Sequence, residues 1–206
     1  MPRTHPIFAR VYERISTAMN DAGEIEHRRE LAGGATGRVL EPGAGNGLNL
    51  EHYREAERVV AMEPEPTMLR MASERSHETS VPVHLVRGAA EALPFPDASF
   101  DTVVASLVLC SVSDPGTVVA EFRRVLRPGG TVRFLEHVRS RSQAWAGVQD
   151  VVAGPWSWFG GGCHPNRDTV AELRAAGFEV QGRGFPFGPP SPCRPHVLGV
   201  ARLPGP

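Results

Sequence analysis

Two acids and a run of glycines carry the first chemical signal. Glu41-Pro42-Gly43-Ala44-Gly45-Asn46-Gly47 follows a short apolar stretch, and Glu63 closes a second one. Glycines at 43, 45 and 47 let a backbone turn tightly and approach a ligand closely. A nicotinamide fingerprint requires its third glycine where Leu48 stands. An acid directly before the glycines would repel a pyrophosphate; it suits a cationic group such as the amino or sulfonium end of S-adenosylmethionine. A carboxylate at the end of the second strand can accept both hydroxyls of a ribose. Either acid alone could be a solvated strand-end residue. Two of them at successive strand ends, with the glycine loop between, point to a nucleoside cofactor.

The acceptor chemistry has fewer candidates, because all 22 basic residues are arginine. Arginine stays protonated, so Schiff-base and lysine-base mechanisms are excluded, as is a complete Walker A loop. His137, at the end of a predicted strand, is the candidate general base; a structural histidine in a loop is the alternative. Cys163-His164 follows three glycines and could approach a substrate, or could be a plain turn. Cys110 could shape the acceptor pocket or simply be a small buried residue. Trp156 and Trp158 could wall that pocket or pack on the sheet, and Phe8 and Tyr12 could reach it from an N-terminal helix. The three cysteines (Cys110, Cys163, Cys193) contain no CxxC pair, so neither a zinc site nor a disulfide framework is expected.

These residues need elements to hold them. The 206 residues fit one domain, read as three parts: a helical lid over 1–32, a cofactor-binding half over 37–138, and acceptor-side helices with a C-terminal hairpin over 139–206. Helical spacing runs through 7–32, with Phe8, Val11, Tyr12, Ile15 and Met19 on one face. Apolar strands are expected at 38–41, 58–63, 83–87, 100–105 and 131–137. Helices are expected between them at 48–56, 66–76 and 116–126, the last stopped by Arg-Pro-Gly-Gly. That alternation implies parallel βαβ units. A helix over 166–176 precedes strands at 178–182 and 196–202, which have no helix between them and so form an antiparallel hairpin. The fold class is α/β: a doubly wound, Rossmann-like, seven-stranded sheet, mostly parallel, with an antiparallel C-terminal strand.

A formal net charge of -1 gives no electrostatic footprint for nucleic acid. No apolar run approaches the roughly 20 residues of a membrane span, and the N-terminus has no secretion signal. A reduced, cytoplasmic setting and a small-molecule partner are expected. The arginine-only, Ala-, Gly- and Pro-rich composition suggests a GC-rich bacterial genome.

The chain resembles the class I S-adenosylmethionine-dependent methyltransferases. VLEPGAGNG is similar to their first motif, VVAMEP to their second, GAAEALPFPDASFDTVVASLVL to their adenine loop and fourth strand, and EFRRVLRPGG to a later motif. The resemblance implies S-adenosyl-L-methionine as cofactor. It implies that Glu41, Gly43 and Gly45 hold the methionine end and Glu63 the ribose, with Ala44, Asn46, Pro64 and Met68 among the cofactor-binding residues. Ala89, Ala90 and Glu91 would flank the adenine, next to a cofactor-binding Gly88, and Leu107 would face the methyl group. SLVLCSV, LRPGGTVRFLEHV, FGGGCHPNRDTVAELRAAGF and PHVLGVA look similar to the membrane-associated alkyl-thiol S-methyltransferases. That resemblance implies a small thiol acceptor; it also leads one to expect an N-terminal anchor, which this sequence does not show. A phenolic, quinol or amine acceptor is the alternative, and a non-catalytic S-adenosylmethionine-binding module is the alternative of another class.

Overall fold

The computed structural model describes residues 6–205, with side chains from residue 10 onward. Seven strands form one sheet: β1 (Thr36–Pro42), β2 (Glu55–Met62), β3 (Val83–Val86), β4 (Phe100–Ser106), β5 (Leu126–His137), β6 (Glu179–Pro186) and β7 (Pro195–Arg202). Their order is β3-β2-β1-β4-β5-β7-β6. Strands β1 to β5 run parallel, and β7 pairs antiparallel with both β5 and β6. The expected hairpin is therefore present, with its second strand inserted inside the sheet and its first left at the edge. The order reverses between β1 and β4, which opens a crevice at the carboxyl ends of the strands, where ligands bind in such sheets.

Helices cover both faces: α1 (Pro6–Met19), α2 (Ile25–Gly33), α3 (Pro66–Ser76), α4 (Pro115–Val125), α5 (Gln143–Phe159) and α6 (Thr169–Ala175). Local chemistry sets where they begin. The Glu65 side chain accepts from Met68 N at the start of α3, and Asp114 accepts from Gly116 N and Thr117 N at the start of α4. Each cap is followed by proline, whose missing N–H costs nothing in a first turn. One buried cluster, including Phe122, Phe134 and Leu173, lies on one face of the sheet; another, including Leu31, Tyr53 and Val59, fills the other. Among the described residues no helix is long and apolar enough to cross a membrane.

Two expectations are corrected. The helical spacing read through 7–32 is interrupted at Gly23, whose φ of 114° lies outside helical space. The packed face also differs: Val11 and Ile15 are exposed, while Ser16 and Asn20 are buried. The side chain of Phe8 lies outside the described residues. The helix expected over 48–56 is only a single 3₁₀ turn at Leu50–His52, and β2 starts earlier than expected, at Glu55. Asn49 and Tyr53 are both committed to hydrogen bonds with the buried Glu41, so the chain makes turns there instead of a regular helix.

Candidate active site

A cleft of about 680 Å³ lies at the topological switch. Gly43, Gly45, Glu63, Pro64 and Met68 line one end; Ala89, Ala90 and Glu91 flank it; Leu107, His137 and Cys163 lie at the other. Tyr12 of α1 also lines it. These positions converge from across the chain because their strands end at the same sheet edge. A second cleft, about 760 Å³, lies at the β6–β7 side among Arg139, Arg141, Arg174 and Arg194. Neither the glycine loop nor Glu63 lines it, so it does not match the nucleoside pattern.

Glu63 is a strut as well as a wall. Its Oε2 accepts from Gly45 N at 2.9 Å and its Oε1 from Glu65 N at 2.9 Å. The carboxylate thus fixes the glycine loop and the entry to α3 together. Burial raises its pKa, while the two backbone donors pull it down. Gly43 has a φ of 67°, and a Cβ there would lie 2.8 Å from Val108 Cγ2. The loop therefore needs glycine both for its backbone conformation and for its approach to the β4 end. A tight glycine loop, a carboxylate at the cleft wall and a flanking Ala-Ala-Glu segment fit a nucleoside cofactor.

Several expected cofactor contacts are placed elsewhere. Glu41 is fully buried and does not line the cleft: Asn49 donates to its Oε1 at 2.6 Å and Tyr53 to its Oε2 at 2.9 Å. Burial raises its pKa to about 7. Arg28 joins this network by donating to Asn49 and to Glu24. Ala44 is buried, and its N–H bonds to Met62 O at 3.0 Å. Asn46 turns toward α1, donating to the Glu13 carboxylate and to Ser16 Oγ, while Arg75 bridges Glu13 and Asn46 O. The glycine loop is therefore tied to the N-terminal helix through Asn46. Gly88 packs behind the cleft, against Met62.

The acceptor end holds a group the sequence did not reveal. Glu136, fully buried in β5, accepts from Val108 N and Leu109 N at 2.9 Å each and from Cys110 N at 3.0 Å. It holds the turn after β4 in place. Leu107 enters that turn with a φ of 58°, a conformation few non-glycine residues adopt. The legible signal was an acid inside an apolar strand, Phe134-Leu135-Glu136-His137, since a buried acid must find donors.

His137 is not an isolated base. Its Nδ1 lies 3.7 Å from Cys110 Sγ and 3.3 Å from Cys163 Sγ, and Cys193 Sγ lies 3.5 Å from Cys163 Sγ. The expectation that these cysteines are scattered is corrected: β4, β5, the glycine turn after α5 and the Pro-rich loop before β7 bring all three beside one histidine. Hydrogen bonding from Cys163 lowers the Cys110 pKa and takes that of Cys193 down to about 5, while both neighbours push Cys163 up. Burial opposes protonation of His137, but the Cys110 and Cys193 sulfurs outweigh it and raise its pKa.

The glycine run passes close to the turn after β4. Gly162 has a φ of 92°, and a Cβ there would meet Ser111 O at 2.6 Å. His164 N donates to Cys110 O at 2.7 Å, while its ring stays off the cleft. Trp158 is 80% exposed at the cleft rim. Trp156 does not line the cleft; it packs beside Gly160.

A methyltransferase-domain family model matches residues 40–134. Over 178 residues the chain is 37% identical to human (Homo sapiens) thiol S-methyltransferase TMT1B, covering 82% of this chain and 72% of that protein. With human thiol S-methyltransferase TMT1A the identity is 32%, over 79% of this chain and 69% of the other. Among solved structures, an S-adenosylmethionine-dependent methyltransferase from Mesorhizobium loti superimposes with a TM-score of 0.62 at 21% identity, covering 87% of this chain and 97% of that one.

Proposed function

The chain belongs to the S-adenosylmethionine-dependent methyltransferases, and from that premise we propose that its acceptor is a small thiol. When bound, the cofactor supplies an electrophilic methyl group on a sulfonium. In this reading Gly43 and Gly45 hold its methionine end, Glu63 its ribose, and Ala89, Ala90 and Glu91 its adenine. Tyr12 and α1 form a lid that excludes water. Transfer is an in-line displacement, so the protein must hold the acceptor sulfur roughly 3–3.5 Å from the methyl carbon.

The observation that carries the thiol reading is that, among the described residues, two groups able to act as bases at the acceptor end are engaged in positioning: the Glu136 carboxylate by backbone donors and the Nδ1 face of His137 by sulfur. A phenol, with a pKa near 10, gains most from a positioned base. A thiol near 8.5 already supplies some thiolate at neutral pH and chiefly needs alignment. Leu107, Val108, Val112 and Trp158 offer it an apolar wall. The names of the human relatives agree with this reading.

The test incubates purified protein with S-adenosylmethionine and matched panels of thiols, phenols and amines, with products read by mass spectrometry. Methylated thioethers are expected. Methylation of phenols or amines with thiols untouched would refute the thiol assignment.

A further inference from the structure

We infer that Cys110, His137 and Cys163, with Cys193 beside them, form a binding site for a borderline-soft divalent cation, Zn²⁺, at the acceptor end of the cleft. The donor atoms of Cys110, His137 and Cys163 all lie within 4.8 Å of one another. Tetrahedral zinc with sulfur at about 2.3 Å and nitrogen at about 2.0–2.1 Å sets sulfur–sulfur edges near 3.8 Å and sulfur–nitrogen edges near 3.6 Å. The observed edges are 3.7 and 3.3 Å from His137 Nδ1 to the two sulfurs, and 3.5 Å from Cys163 to Cys193. A small rearrangement of side chains would therefore close the shell.

The backbone around each donor is fixed by buried groups that need no ion. Glu136 clamps the turn carrying Cys110 through three consecutive N–H groups. Gln149, fully buried on α5, places its Nε2 within 3.1 Å of Val138 O and 2.9 Å of both Pro165 O and Pro192 O. Those carbonyls lie one residue from His137, two from Cys163 and one from Cys193. A single side chain thus gathers three donor-bearing segments, and His164 N ties the Cys163 loop to Cys110 O. Such outer contacts orient the ligands of metal sites. A disulfide between Cys163 and Cys193 would give neither His137 nor Cys110 a role, whereas a cation uses all four donors.

His137 and Cys163 line the cleft itself, so the ion would border the acceptor space. Three ligands with an exchangeable fourth position are the pattern of catalytic zinc. Resting on the thiol reading above, the structure assigns that fourth position to Cys193 in the absence of acceptor and to the acceptor sulfur in its presence. The acceptor's S–H proton passes to the departing Cys193 thiolate. The acceptor thiolate then forms the sulfur–methyl bond as the methyl–sulfonium bond breaks, and that electron pair stays on S-adenosylhomocysteine. The thioether product is a poor ligand, so Cys193 returns as thiolate, releasing to solvent the proton it took up.

The experiment titrates reduced, metal-free full-length protein with Zn²⁺ against a chromophoric chelator, with Co²⁺ as spectroscopic probe. One ion per chain is expected, together with the intense visible bands of tetrahedral cobalt and a sulfur-to-cobalt charge-transfer band. Cys110→Ser, Cys163→Ser and His137→Ala should each weaken Zn²⁺ by more than the 10- to 100-fold typical of outer-shell changes, and Cys193→Ser by less than the other three. Circular dichroism and S-adenosylhomocysteine binding establish that each variant is folded; for one that is not, Gln149→Met replaces it, with an expected loss of about 10- to 100-fold. No stoichiometric binding, or binding indifferent to these variants, would overturn the site. A small thiol should shift the cobalt bands of the wild-type protein; unshifted bands would overturn the exchange step alone. Thiol methylation by the zinc-free protein at the full rate would remove the ion from catalysis and leave the thiol reading standing. Zinc bound at these residues in a protein that methylates no thiol would overturn the thiol reading and leave the metal site standing.

Discussion

Replacing Glu63 by alanine tests two roles of one carboxylate. Glu63 is 6% exposed and accepts from Gly45 N and Glu65 N at 2.9 Å each. Hydrogen bonds to a charged acceptor are worth roughly 1.5–3 kcal/mol net, which sets an upper bound of about 3–6 kcal/mol for the two. The freed N–H groups face a cleft that water can enter, so about 2 kcal/mol is the expected loss of stability, or roughly 4–8 °C in Tm for a chain of this size. Loss of the ribose acceptor adds a separate effect on binding, about 10- to 100-fold for S-adenosylhomocysteine. Titration calorimetry and thermal unfolding on the same sample separate the two. Glu63→Ala with wild-type affinity and wild-type Tm would refute both roles. A lowered Tm with unchanged affinity would retain the strut and move the ribose elsewhere.

Glu41 should make stability fall as pH rises. Its folded pKa of about 7 lies above the ordinary 4.5, so between those values the folded state holds a proton that the unfolded state has released. Stability should therefore decline through that window by an amount on the order of 3 kcal/mol, and Glu41→Gln should flatten the profile in denaturant titrations at several pH values. Gly162→Ala forces a side chain onto Ser111 O at a φ of 92°; it should cost about 1–3 kcal/mol and lower kcat/KM for the acceptor while S-adenosylhomocysteine affinity holds in calorimetry. Glu13→Ala unties α1 from Asn46 and Arg75; cofactor affinity should fall a few-fold, and an unchanged value would argue against the lid.

The sheet was legible because its signals are local. Apolar strands ending in Glu41 and Glu63, alternating with helices, imply parallel βαβ units before any contact is known, although β5 starts at Leu126 and includes the Arg-Pro-Gly-Gly expected to precede it. The glycine loop, Glu63 and the Ala89-Ala90-Glu91 segment all reach the cleft where expected. What failed depends on partners far along the chain. Asn46 and Glu41 read as ligand contacts because they flank the glycines, yet Glu13, Asn49 and Tyr53 engage them. The cysteines looked unrelated because their spacing carries no motif. They meet only because β7 threads between β5 and β6 and returns the Cys193 loop to the end of β5. Gln149 carried no signal, since a glutamine within a helix is ordinarily exposed.

One device recurs along the functional edge of the sheet. Glu41, Glu63 and Glu136 each stand at or near the carboxyl end of a central strand, and each is at most 6% exposed. Each spends its oxygens on the loop chain nearby: Glu41 on Asn49 and Tyr53, Glu63 on Gly45 and Glu65, Glu136 on Val108, Leu109 and Cys110. A buried carboxylate is costly unless such donors satisfy it. Here the donors are mostly backbone N–H groups, so satisfying the acid also fixes the loop. Ordering those loops during folding, before any ligand arrives, lowers the entropy lost on binding. Glu63 therefore fixes the Gly43–Gly45 loop at one end of the cleft and Glu136 the Cys110 turn at the other, while Glu41 anchors the turn that follows the glycines. This explains how an edge assembled from distant segments can align a sulfur with a methyl group, and why the acids there serve position more than proton transfer.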